Sequence, residues 1–264
     1  MGNKTSLDCL DNYEFIVARS ELTNEEKLCK DIGRTHYEKT EKSIRNIITH
    51  KINRRLSKWI FRYRDIGSVS LDFSKKVTGM YSQYRFLHLY RLIKRIKPKI
   101  VFEYGSGAST VFIAECLRLN DYLYGIKGKL ISFEQSEKWS ELIVNNFPHE
   151  LLEYVELNLK PVRLENFSQK YRGLYYENDY YPKEIDLMYI DGPTATRGNK
   201  ESEDALQFWL CADIVKMVNN GVTIKYAVTD HRHVNFIFYK KCLTEYNISF
   251  SRYWRSIIIK KSSK

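Results

Sequence analysis

Residues 102–110, FEYGSGAST, decide the fold of this 264-residue chain. The apolar run before them predicts a short buried strand, and the residues after them, STVFIAECLRL, predict a helix. Gly105 and Gly107 allow a tight turn between the two. A strand, a glycine-rich turn and a helix start present free N–H groups to a ligand. The G-x-G pattern alone is equally compatible with an ordinary tight turn.

Two carboxylates near this turn make the prediction more specific. Glu103 lies two residues before the first glycine, where it suits an ammonium group or a bound water and does not suit a pyrophosphate. Glu134 ends the second strand, KLISFE, where an acid can accept both hydroxyls of a ribose. Thr110, with Ser109 beside it, stands where a dinucleotide fold requires its third glycine, which disfavours a nicotinamide cofactor.

Strands and helices alternate from Lys99 onward, which predicts a parallel sheet with helices on both faces. Residues 154–164 are predicted to form the third strand, 184–193 the fourth and 221–230 the fifth. Helices are predicted over residues 81–97, 204–218 and 233–244, and an antiparallel strand pair over residues 248–261. Residues 65–79 and the tyrosine-rich stretch 171–181 are predicted to be loops, the latter able to stack a sugar or a base.

The motifs FEYGSGAST, ISFEQSEKW and DLMYIDGP together resemble the class I S-adenosylmethionine-dependent methyltransferases, in their O-methyltransferase-like branch. The resemblance covers about residues 80–264. It implies a doubly wound α/β fold of the Rossmann-like methyltransferase type, with a mostly parallel seven-stranded sheet and an antiparallel C-terminal hairpin. The predicted domains are a helical, basic extension at residues 1–78 and a methyltransferase domain at residues 79–264.

The resemblance also implies a cofactor site for S-adenosylmethionine. Glu103 and the glycine turn would hold the methionine part, Glu134 the ribose, and Gln135 would lie beside the adenine. Tyr81 would cover the cofactor carboxylate. The implied cofactor-binding set is Glu103, Gly105, Ser106, Gly107, Ser109, Thr110, Glu134, Gln135, Asp191 and Tyr81.

Three residues are predicted to be catalytic. Asp191 follows the fourth strand, where the family places groups that face the transferred methyl, and Asp230 and His231 follow the fifth. In catechol-type and antibiotic-sugar O-methyltransferases, aspartates at these two places bind a divalent metal, and Asn or Asp stands where this chain has His231. Three readings stay open: Mg²⁺ bound by Asp191 and Asp230, a metal-free site with His231 as general base, or a plain helix start at residues 231–233.

The net charge of +11 comes from one stretch of the chain. Residues 42–100 hold 16 Lys and Arg against 2 Asp and Glu, whereas residues 101–264 hold 21 of each. Residues 40–64 predict a basic amphipathic helix, packed on the main domain or, alternatively, in peripheral contact with a membrane through residues 42–64. We expect a small-molecule or glycan-type acceptor, and the charge favours an anionic one, phosphorylated or nucleotide-linked.

The sequence therefore predicts an S-adenosylmethionine-dependent O-methyltransferase. The alternatives are a nucleic-acid methyltransferase, for which no Asn-Pro-Pro-Tyr or Asp-Pro-Pro-Tyr motif is present, a nicotinamide-dependent oxidoreductase, and a non-catalytic module that binds nucleic acid or a membrane through residues 42–100. Five widely spaced cysteines and the lack of an apolar run of about 18 residues favour a cytoplasmic protein. The sequence does not determine the oligomeric state.

Overall fold

The computed structural model describes residues 55, 66–77, 83–167, 172–178, 181–193, 210–229, 233–251 and 256–262. The predicted helix over residues 40–64 lies outside these ranges, apart from Arg55. Three predicted site residues, Tyr81, Asp230 and His231, also lie outside them. None of the helices in these ranges is long and apolar enough to cross a membrane.

Within the described ranges, nine strands form two sheets. In chain order they are β1 (Ile100–Tyr104), β2 (Lys129–Glu134), β3 (Val155–Leu159), β4 (Val162–Asn166), β5 (Arg172–Tyr176), β6 (Glu184–Ile190), β7 (Thr223–Thr229), β8 (Tyr246–Ser251) and β9 (Ser256–Lys261). The main sheet has the order β3-β2-β1-β6-β7-β9-β8, and β4 pairs with β5 in a separate ribbon. The pairs among β1, β2, β3, β6 and β7 are parallel, and β9 pairs antiparallel with β7 and β8. The predicted seven-stranded sheet and its closing hairpin are confirmed.

The helices cover both faces of the main sheet. They are α1 (Ser68–Val77), α2 (Gln83–Ile96), α3 (Ala108–Tyr124), α4 (Glu137–Asn146), a 3₁₀ helix (His149–Tyr154), α5 (Asp213–Asn219) and α6 (His233–Cys242). Alternate side chains of a strand point to opposite faces, so Val101 packs with Phe112 of α3 while Phe102 packs with Phe236 of α6. The two hydrophobic cores enclose a sheet whose ligand edge is the carboxyl end of β1 and β6.

Two predictions between β2 and β6 were wrong. The third strand was expected to run through residues 154–164, but it stops at Leu159, and Val162 starts a strand of the separate ribbon. Pro161 lies at this break; it has no N–H to continue a ladder, and its carbonyl accepts from Glu177 N (2.9 Å). The stretch 171–181 was expected to be a loop, but residues 172–176 form β5, paired in register with β4.

The helix predicted over residues 204–218 begins later in the described part. Cys211 forms an isolated parallel β-bridge with Leu174 of β5: Leu174 N donates to Leu210 O (3.0 Å), and Ala212 N to Leu174 O (2.7 Å). Helix α5 starts at Asp213. The apolar residues here therefore pack the ribbon against the sheet, a tertiary role that the helix-like spacing did not reveal.

The predicted loop over residues 65–79 is also wrong, because residues 68–77 form α1. The buried carboxylate of Glu115 on α3 caps this helix, accepting from Gly67 N (3.2 Å), Val69 N (3.3 Å) and Ser70 N (3.1 Å). These N–H groups would otherwise lack a partner at the helix start. A capping group 45 or more residues away leaves no local signature. The domain boundary at residue 78 stays a prediction. Helix α1 lies before this boundary, but its first N–H groups bind Glu115, which lies after it.

Candidate functional site

The main-chain segments that follow the parallel strands β1 and β6 approach each other closely, at Gly105 and Gly192. Tyr104 O accepts from Asp191 N (2.9 Å) and Gly192 N (2.8 Å). Gly105 has φ +94°, and a Cβ on it would lie 2.9 Å from Gly192 N. Only glycine fits at residue 105, because a side chain would both strain the backbone and collide with main-chain atoms. We call this place the β1/β6 crossing.

The N–H groups of the turn are already bound within the protein. Gly105 N donates to Phe133 O (2.9 Å), Ser106 N to Glu134 Oε2 (3.2 Å) and Gly107 N to Thr110 Oγ1 (2.7 Å). The last bond closes the first turn of α3, so Thr110 has a structural role at the position of the missing third glycine. These three N–H groups are therefore not available to bind an anion.

Ser106 lies at the centre of a polar network. Its Oγ is 2.7 Å from Ser132 Oγ, and its carbonyl accepts from Trp139 Nε1 (2.8 Å). Sequence reasoning missed both partners. A serine in the otherwise apolar strand KLISFE was a usable signal for Ser132, whereas the contact with Trp139 depends on how α4 packs. The network fixes the glycine turn that connects β1 to α3.

Glu103 is fully buried at the end of β1. Its Oε2 accepts from Ser132 Oγ (2.7 Å), and its Oε1 has no hydrogen-bond partner that meets full geometry among the described residues. Burial raises the pKa of this carboxyl from 4.5 to about 7, opposed by the nearby hydroxyls of Ser109, Thr110 and Ser132 and reinforced by Asp191. A buried carboxylate oxygen without a donor is costly, and a ligand with a cationic N–H group would satisfy it.

Glu134 reaches the same turn from β2. Its Oε1 accepts from Gln135 N (2.8 Å) and Ser136 N (2.9 Å), in addition to the bond from Ser106 N to Oε2. Burial raises the pKa of this carboxyl, and the three backbone donors oppose that effect. Each carboxylate oxygen can accept two hydrogen bonds, so Oε2 retains capacity for a ligand hydroxyl. Gln135 is partly buried beside it.

Asp191 is exposed directly after β6, and its charge acts on Glu103. The structure therefore brings together the predicted residues Glu103, Ser106, Glu134 and Asp191, while Asp230, His231 and Tyr81 stay predictions outside the described ranges. Within those ranges no group of three or more His, Cys, Asp or Glu side chains could hold a metal ion. A metal shared by Asp191 and Asp230 is not supported by these residues.

Two further buried residues lie next to the site; the sequence placed Tyr176 in a stretch able to stack a sugar or a base and gave no role to Asp213. Tyr176 of β5 is 1% exposed, and its Oη lies 3.0 Å from the point where a Cβ on Gly192 would sit. Asp213 accepts from Tyr176 N (2.8 Å) through Oδ1, and its Oδ2 has no partner among the described residues. Burial raises the pKa of Asp213 from 3.8 to about 8, against the effect of the backbone donors. Neither residue belongs to a sequence motif.

Comparison with models of protein families and with curated proteins finds no match. Among solved structures, the chain is similar to a protein of Klebsiella pneumoniae provisionally described as an O-methyltransferase, with a TM-score of 0.50 and 12% identity over 80% of this chain and 97% of that one. An O-methyltransferase from Bacillus cereus, in complex with SAH, gives a TM-score of 0.42 and 11% identity over 90% and 97% of the two chains.

At this level of identity the comparison concerns the fold alone, and the Bacillus cereus score adds no weight. The strand order, the antiparallel closing hairpin and the likeness to the Klebsiella pneumoniae protein agree with the resemblance drawn from the motifs. The chain has the Rossmann-like methyltransferase fold.

Proposed function

We propose that this protein is an S-adenosylmethionine-dependent methyltransferase. The observation that carries the proposal is the buried carboxylate of Glu103, whose Oε1 at the glycine turn has no hydrogen-bond partner among the described residues. Glu134 meets the same turn through Ser106 N. A zwitterionic nucleoside with an ammonium group and two ribose hydroxyls matches these two carboxylates.

A dinucleotide fits this site poorly for electrostatic reasons. Pyrophosphate binding at a glycine turn requires free N–H groups and a positive helix start, but Gly105, Ser106 and Gly107 donate inside the protein. The carboxylates of Glu103 and Glu134 would repel a phosphate at the same place. These contacts favour a methyl-donor cofactor over nicotinamide.

The protein's own part in the reaction is to bind and orient. Glu103 would hold the ammonium group and Glu134 the ribose, while the parallel pairing of β1 and β2 fixes their separation. When bound, the cofactor supplies an activated methyl group, and the chemistry is its own. Asp191 is exposed at the same edge, where its carboxylate can orient an acceptor hydroxyl and accept its proton. Asp230 and His231 are the further candidates for that proton transfer.

We further propose O-methylation of a small-molecule or glycan-type acceptor, with an anionic acceptor favoured. The support is the charge of residues 42–100, which hold 16 Lys and Arg against 2 Asp and Glu. An acceptor screen with labelled S-adenosylmethionine would test this, with and without added Mg²⁺. Asp191→Asn should lower turnover on any acceptor found, whereas Asp72→Asn, an exposed change on α1, should not.

The cofactor is tested by calorimetric titration with S-adenosylhomocysteine and, in parallel, NAD⁺. We expect S-adenosylhomocysteine to bind and NAD⁺ to bind at least a hundredfold more weakly. Glu134→Ala should weaken S-adenosylhomocysteine binding about tenfold, since one or two hydrogen bonds to the ribose are lost. Glu141→Ala, an exposed change on α4, is the matched control. Tighter binding of NAD⁺, or none of S-adenosylhomocysteine, would contradict the proposal.

A further inference from the structure

The two-stranded ribbon carries one tyrosine into the candidate site. Tyr176 ends β5, and its ring packs against Tyr104 (centroids 5.2 Å apart) and Phe133 (6.3 Å) in the core beneath the ligand edge. Its main chain is held at Tyr176 N by Asp213 Oδ1. The ring therefore has one position, set from two sides.

The hydroxyl of Tyr176 points at the β1/β6 crossing. A Cβ on Gly192 would lie 3.0 Å from Tyr176 Oη and 3.1 Å from Gly105 Cα, so the phenol oxygen lies beside Gly192, where the main chain approaches Gly105. No described residue accepts a hydrogen bond from it. Tyr104 is the internal contrast, because its Oη contacts Met217 Sδ (3.9 Å) within the core.

The surroundings keep this hydroxyl protonated. Burial raises the pKa of Tyr176 well above its ordinary value, and the charges of Glu134, Asp213, Cys211 and Glu103 act in the same direction. Among the described residues the phenol is therefore a donor with no acceptor, held in place by its packing before any ligand arrives. A group that is already ordered loses little conformational entropy on binding.

We propose that Tyr176 Oη contacts the methionine part of the bound cofactor and donates one hydrogen bond to it. The proposal rests on the proposed function. The carboxylates of Glu103 and Glu134 can only accept hydrogen bonds, so they suit the ammonium and ribose hydroxyl groups of such a ligand. The phenol of Tyr176 adds a hydrogen-bond donor at the same β1/β6 crossing. The contact comes from the ribbon β4–β5, an element outside the glycine-turn motif.

The test compares Tyr176→Phe with Tyr104→Phe. Each variant removes one buried hydroxyl and keeps the ring, so both should fold, which thermal unfolding would verify. Each is titrated with S-adenosylhomocysteine and with 5′-methylthioadenosine, which lacks the amino-acid carbons. We expect Tyr176→Phe to weaken S-adenosylhomocysteine binding about tenfold, the value of one hydrogen bond. Its affinity for 5′-methylthioadenosine, and both affinities of Tyr104→Phe, should stay within about twofold of the wild type.

The outcomes separate this inference from the proposed function. If the wild type binds neither nucleoside, the proposed cofactor is wrong and the inference is wrong with it. If the wild type binds S-adenosylhomocysteine and Tyr176→Phe binds it equally well, the cofactor stands and the contact does not exist. An equal loss for both nucleosides would show that Tyr176 acts through packing, which also overturns the contact.

Discussion

Replacing Glu103 by glutamine should change how the stability of this protein depends on pH. The pKa of this carboxyl rises from 4.5 to about 7 on folding, chiefly through burial. The folded state therefore binds the proton more tightly than the unfolded state does. Between pH 4.5 and 7 the unfolded chain loses this proton first, so the wild type loses stability as pH rises through that window. The full cost is about 3 kcal/mol above pH 7.

Glu103→Gln has no such proton to lose. We measure the free energy of unfolding by urea titration without ligand. We expect the value for Glu103→Gln to rise relative to that of the wild type, by up to about 3 kcal/mol, between pH 4 and pH 8. Glu141→Gln, on the exposed side of α4, should follow the wild-type curve. A constant difference between Glu103→Gln and the wild type across this range would refute the reasoning, because it would mean that Glu103 ionises normally.

Three further changes test the frame around the site. Gly105→Ala should abolish S-adenosylhomocysteine binding and cost about 2 kcal/mol of stability, because φ is +94° and a Cβ would lie 2.9 Å from Gly192 N; Asp72→Asn, an exposed change on α1, is the control in the same titration and melt. Glu115→Ala should cost about 3 kcal/mol in urea unfolding, since three N–H groups at the start of α1 lose their acceptor, and Glu115→Gln, which retains one acceptor oxygen, should lose less; equal losses would contradict the capping role. Asp213→Asn should gain stability relative to the wild type as pH rises from about 4 to 8, because burial raises the pKa of this carboxyl to about 8, and unchanged pH dependence in the same melt would disprove it.

The parts of the fold that follow local pattern were predictable from sequence. Continuous apolar runs predicted the buried strands β1, β2, β6 and β7, and the glycine turn fixed where β1 ends. Helix α1 was missed because its cap, Glu115, is supplied by α3. The ribbon was not predicted because its tyrosine-rich stretch has the composition of a loop. Tyrosine is also frequent in strands, and residues 172–176 pair with residues 162–166.

In the candidate site too, residues marked by a local pattern were predictable, and residues placed by tertiary packing were not. Glu103 and Glu134 were predicted because a strand end and a motif both indicate them. Glu134 accepts from Ser106 N, whereas Glu103 is linked to Ser106 through the hydroxyl of Ser132. The second link required the parallel register of β1 and β2, in which Glu103 lies opposite Ser132. Tyr176 was predicted only as part of a tyrosine-rich stretch able to stack a sugar or a base, and Asp213 was not predicted. Their positions depend on how the ribbon docks, through backbone bonds between Leu174 and residues 210–212.

The electrostatics of the site bear on the acceptor. The described ligand edge is acidic, with Glu103, Glu134 and Asp191 all near the glycine turn, and this suits a cofactor that carries positive charge. An anionic acceptor would be repelled by the same edge unless positive charge lies close by. The basic stretch at residues 42–100 is the candidate source of such charge. Turnover of an anionic acceptor should therefore depend on the basic stretch 42–100 and fall as ionic strength rises, whereas S-adenosylhomocysteine affinity should not, because its contacts are buried and weakly screened.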